Sequence, residues 1–154
     1  MKTASIIRAL ILGLSVLLAW AEAQAQRTMS IVSNDADVLI VINKEVEVSE
    51  ISSAQLRDIF IGAQSRLSDG TRAVPVILKG GAVHEVFLRK HVGDSPGEYR
   101  TRWLKAVFTG QGAMPKEFTS EADVLDYVGA TRGAIGYVSR INGARSVKVL
   151  SVSP

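Results

Sequence analysis

The chain has 154 residues, 47% of them hydrophobic, with 18 Lys and Arg against 15 Asp and Glu and no cysteine. Without cysteine there are no disulfides, no thiolate catalysis and no cysteine metal site. Charges of both signs are interspersed, so the basic stripe of a nucleic-acid binder is missing, and there is neither an internal repeat nor a low-complexity tract.

The first segment reads as an export signal. Lys2 and Arg8 precede an apolar run over residues 9–20, broken only by Gly13 and Ser15. Two small-residue cleavage patterns follow, Ala21-Glu22-Ala23 and Ala23-Gln24-Ala25. This order marks a cleavable secretory signal over residues 1–25, with cleavage after Ala25. The run is shorter than the roughly 20 residues that cross a bilayer. No cysteine stands near it to carry a lipid. The remaining 129 residues, 26–154, make one domain with 16 basic and 14 acidic side chains. A chain of that size buries about two-thirds of its unfolded surface, so its core needs no staples.

In chain order, Val38-Leu39-Ile40-Val41-Ile42 is a continuous apolar run suited to a strand covered on both faces, as in a parallel sheet. Ser52 to Gln55 has the form of a capping box, Ile51 and Leu56 that of a staple, and Gly62 that of a left-handed helix end. Asp69-Gly70 signals a turn before a strand over residues 73–78, where Pro75 suggests a sheet edge or a strand start. Gly80-Gly81 leads into a helix over residues 82–92 with Val83, Val86 and Phe87 on one face, closed by Gly93. Ser95-Pro96-Gly97-Glu98 opens the clearest helix, with Tyr99, Trp103, Ala106 and Val107 as its buried stripe and Glu98–Arg102 as an i,i+4 pair. Residues 110–115 read as a loop. Ser120 caps a further helix carrying Val124, Leu125 and Val128, and strands follow at residues 133–138 and 147–152. Strands alternating with helices predict an α/β layer structure with a mainly parallel sheet.

Catalytic signatures are missing: no nucleophile elbow, phosphate loop or dinucleotide fingerprint is present, and Gly110-Gln111-Gly112 follows a helix where the fingerprint needs a strand. The sequence is read as that of a non-enzyme without cofactor or metal. His84 and His91 stand about 10 Å apart along one helix, too far to chelate one metal, and read as surface histidines. One feature fits an anion. Lys79-Gly80-Gly81 lies between a strand and a helix, where bare amides and a cation favour negative charge, so Lys79, Gly80, Gly81, Ala82, Val83 and His84 form the candidate ligand-binding set. The same glycines also serve a tight strand-to-helix turn with no ligand.

These pieces together resemble a known pattern. Leu56-Arg57-Asp58-Ile59-Phe60-Ile61-Gly62, Leu67-Ser68-Asp69-Gly70-Thr71, Val74-Pro75-Val76, Phe87, Trp103 with Phe108-Thr109-Gly110, and Gly133-Ala134-Ile135-Gly136-Tyr137-Val138 are similar in order and spacing to the substrate-binding component of bacterial phosphate ABC transporters, in the type II periplasmic binding protein superfamily. The resemblance implies a single lobe of that fold and a periplasmic location. The family's phosphate motif, an Arg followed four residues later by Ser-Gly-Thr, falls here on Ile77, Gly81, Ala82 and Val83, a Trp usual in the family is Leu67, and a usual Pro is Arg132. Two functions follow from it. One is a solute-binding-like protein for phosphate or another small anion; the other is a non-enzymatic interaction or sensor module that has lost phosphate binding and meets a membrane transport or sensor protein, or its own copy.

Overall fold

The computed structural model describes residues 38–154; the signal segment and its cleavage site lie outside them. Eleven stretches of regular structure follow one another: β1 (Leu39–Asn43), β2 (Glu50–Ser52), α1 (Ser53–Phe60), β3 (Val74–Leu78), α2 (Ala82–Phe87) continued by a π-helical turn (Leu88–Val92), α3 (Pro96–Phe108), β4 (Lys116–Phe118), α4 (Glu121–Ala130), β5 (Ala134–Val138) and β6 (Val147–Ser153). The strands form one sheet in the order β2-β6-β1-β5-β3-β4. The fold is α/β, with five strands running one way: β2 pairs parallel with β6, and β3 with both β4 and β5. β1 runs against them, antiparallel to β5 and β6.

That direction differs from the expectation for the apolar run at β1. Ile40, Val41 and Ile42 are buried on both faces because β1 is central. A run of this kind reports burial, and antiparallel pairing satisfies it equally well. Pro75 marks a strand start and not an edge. β3 has neighbours on both sides, and its pairing with β4 begins only at Val76↔Lys116, so the missing Pro N–H costs no bond on that side. The three-residue strands β2 and β4 carry no sequence alternation that could announce them.

Adjacent residues of β5 separate the two helical layers, since successive side chains of a strand face opposite ways. Gly136 faces α4, where an added Cβ would meet Val124 Cγ1 and Val76 Cγ2 at 2.9 Å. Tyr137 faces the other layer. Its ring stacks on Phe87 with centroids 3.8 Å apart, and Phe87 meets Phe60 edge-on at 4.7 Å. α1 and α2 thus cover one face and α4 the other. α3 docks onto the end of α1, where Phe60 O accepts from Tyr99 Oη at 2.7 Å and from Trp103 Nε1 at 3.3 Å. Gly62, at φ +79°, leaves room for the Trp103 indole, which would stand 2.8 Å from a Cβ there.

The helix ends follow their capping residues. Ser52, Ser95 and Ser120 each accept from the backbone N–H three residues on, and the Ser95–Glu98 box is complete. Because Glu98 is occupied by that box, the expected Glu98–Arg102 pair does not form. Arg102 instead grips Asp94 through Nε and Nη2, both at 2.9 Å. Asn43, a buried polar residue, donates to Val128 O and Gly129 O at 3.0 Å and closes the end of α4. Val107 is 47% exposed and is not part of the buried stripe of α3, which consists of Tyr99 and Trp103 with Ala106 half-buried. Among the described residues no helix is long and apolar enough to cross a membrane.

Candidate functional site

The turn after β3 sits at the carboxyl end of the parallel strands, the side on which ligands of open α/β sheets bind. β3 continues its ladder through Lys79, whose N–H donates to Phe118 O at 2.8 Å. The chain then turns at Gly81, with φ +95° and ψ 168°, a conformation open to glycine alone. α2 follows with no side-chain cap, its first bond running from Glu85 N–H to Gly81 O at 3.1 Å. Lys79, Gly80, Gly81 and Ala82 are exposed and Val83 is half-buried. The sequence set is therefore brought together through its backbone, with Lys79 beside it as an exposed ammonium. An added Cβ at Gly80 or Gly81 would meet nothing within 4 Å, so the turn opens to solvent.

His84 differs from its expected place. It is 6% exposed, facing inward with Val86 and Phe87, because it lies on the apolar side of α2. Tyr137 Oη accepts from Leu78 N–H at 3.1 Å and is hydrogen-bonded to His84 Nδ1 at 2.6 Å. Burial holds the His84 pKa below the ordinary histidine value, opposed in part by the Glu117 and Glu85 carboxylates. His91 is likewise not a free surface group. It is half-buried against Phe87, its Nε2 has no hydrogen-bond partner, and burial lowers its pKa, with the Lys90 ammonium adding to the effect. The His84–Tyr137–Leu78 chain fixes the strand end from which the turn departs. Tyr137 carries no sequence signal for this role beyond being an aromatic in a buried strand.

The neighbouring strand end is closed by the protein itself. At the end of β5, the Glu121 carboxylate accepts from Ser139 N–H at 2.6 Å and from the Ser139 hydroxyl at 2.9 Å. Ser120, which could have offered a hydroxyl to a ligand, is used by Asp123 at 2.7 Å. Lys116 is held over the rings of Phe118 and Tyr127, 5.2 and 4.4 Å from their centroids. Lys79 thus remains the cation nearest in sequence to the open turn. The described residues contain no cluster of three His, Asp or Glu side chains able to hold a metal.

Against known proteins, no family model and no curated sequence matches the chain. Solved structures do. A phosphate ABC transporter substrate-binding protein from Clostridium perfringens, determined with bound phosphate, superposes with a TM-score of 0.56 at 16% identity over 75% of this chain. PstS from Borrelia burgdorferi superposes with a TM-score of 0.54 at 13% identity over the same share. The chain shares the α/β fold of these periplasmic binding proteins, as the sequence resemblance implied. It spans less than half the length of these neighbours, 44% and 46% of each.

Proposed function

We propose that this chain is an exported, non-enzymatic solute-binding domain of the periplasm that serves small-oxyanion transport, and that phosphate or a related anion is held at the Lys79–Val83 turn. The observation that carries this reading is the uncapped start of α2 at the carboxyl end of β3, beside an exposed ammonium. The fold shared with a receptor solved with bound phosphate supports it. Amides that donate to no side-chain cap favour a bound anion, and the glycines let it approach the backbone. With neither an Arg fork nor Ser-Gly-Thr hydroxyls in place at the turn, binding is expected to be weak, in the micromolar to millimolar range.

Isothermal titration with phosphate, and sulfate as the control, tests the reading. Saturable heat with phosphate is expected, and Lys79→Ala should weaken it about tenfold by removing one charge-assisted contact. Absence of heat up to millimolar phosphate would overturn it. A second reading is favoured by Ile77, Gly81, Ala82 and Val83 standing where the family carries its phosphate-binding side chains. In that case the domain is an interaction or sensor module whose partner is a membrane transport or sensor protein.

A further inference from the structure

We propose that the outer face of α3 docks onto an anionic lipid surface, with Phe108 entering the bilayer interface and Arg100 and Lys105 meeting the headgroups. The inference rests on α3 alone and is independent of the anion site. Phe108 is 88% exposed, with Val107 at 47% and Leu104 at 43% beside it. Arg100, Leu104 and Phe108 succeed one another at i,i+4 spacing along one row of the helix, and Lys105 lies three residues before Phe108. Tyr99 and Trp103 hold the adjoining face, about 100° round the helix, in the core, so this row is turned outward. No acidic residue occurs from Tyr99 to Lys116. Arg102 is committed to Asp94, whereas Arg100 and Lys105 enter no ion pair among the described residues. Beyond Phe108, residues 109–113 are all exposed.

Charge and area decide the occupant. A second copy meeting this face across a two-fold axis would oppose cations to cations. A protein partner needs roughly 800 Å² on each side for a stable contact. Leu104 to Phe108 spans only about 6 Å of helix axis, a small part of that area. A bilayer interface requires no matching shape, and it takes up an aromatic flanked by basic side chains.

Cosedimentation of the protein, purified in its exported form, with two kinds of vesicle is the test. One kind is pure phosphatidylcholine; the other contains one-third phosphatidylglycerol. Binding at low ionic strength is expected only to the anionic vesicles. Phe108→Ser should weaken it about tenfold, and the Arg100→Glu, Lys105→Glu double variant should abolish it. All three side chains are solvent-exposed, so unchanged circular dichroism is expected to confirm the fold of each variant. Failure of the unaltered protein to bind anionic vesicles would overturn the proposal, even if Phe108→Ser then lost a protein partner instead. So would equal binding to both vesicle types, or binding unchanged in both variants. None of these outcomes bears on phosphate titration at the turn.

Discussion

Gly133→Ala is expected to destabilise the domain by about 3 kcal/mol, the sum of a left-handed backbone penalty of about 1–2 kcal/mol and a comparable steric displacement. Gly133 has φ +81°, and a Cβ there would stand 2.2 Å from Arg72 O, a backbone atom that cannot swing aside. Gly133 O also accepts from Val74 N–H at 2.9 Å, immediately before Val74↔Ala134 begins the β3–β5 pairing. Moving this corner therefore displaces the two strands that frame the candidate site. Gly70→Ala is the control: φ is +82°, but a Cβ meets nothing within 4 Å, so only the backbone cost of about 1 kcal/mol applies. Urea unfolding of the two variants checks the difference. Equal midpoints would show that the contact with Arg72 relaxes freely.

Tyr137→Phe is expected to cost about 2 kcal/mol, because removing one hydroxyl leaves two buried groups, Leu78 N–H and His84 Nδ1, without partners. The ring packing against Phe87 is retained, which confines the loss to hydrogen bonding. The variant also tests the histidine electrostatics. In the folded protein the His84 and His91 pKa values lie below the ordinary 6.5, so the unfolded chain binds more protons in acid. Their contribution to stability is complete above pH 6.5 and is lost as pH falls from there through the folded pKa values. Burial, the cause of the lowered His84 pKa, is kept when the Tyr137 hydroxyl is removed. Tyr137→Phe should therefore be less stable by a similar amount throughout and lose stability on acidification over the same pH range as the unaltered protein. Thermal unfolding across the pH range measures both, and a variant profile that no longer falls in acid would contradict burial as the cause.

The parts of this fold legible in the sequence are those set by local chemistry. Ser52, Ser95 and Ser120 cap where their spacing to Gln55, Glu98 and Asp123 indicated, and Gly81 and Gly93 take the positive φ that ends or starts a helix. The resemblance to phosphate receptors likewise survives as a shared fold. What the sequence withheld depends on distant partners. The direction of β1 is set by strands about 100 residues away, and apolar residues do not encode it. Arg102 had two carboxylates in reach, and the competing box at Ser95 decided between them. The burial of His84 is not legible locally, because nothing near it in sequence shows that Tyr137, 53 residues on, lies beside it. Val107 fitted the helical stripe by period, yet the core beneath α3 ends at Trp103 and Ala106, leaving Val107 and Phe108 outside.

For the candidate site the same division holds. The Lys79-Gly80-Gly81 turn and the open start of α2 follow from strand, glycines and helix, all read locally. That Glu121 closes the end of β5 does not, since its bond to Ser139 crosses 18 residues. This closure leaves the β3 end as the exposed strand terminus on which the functional proposal turns.

The most direct measurement is a phosphate titration followed residue by residue at the backbone amides by NMR. The account predicts saturable shifts concentrated at Gly80, Gly81, Ala82 and Val83, attenuated in Lys79→Ala and smaller with sulfate. Shifts scattered over surface lysines without saturation, or none at the turn, would contradict it and leave the domain as an interaction module.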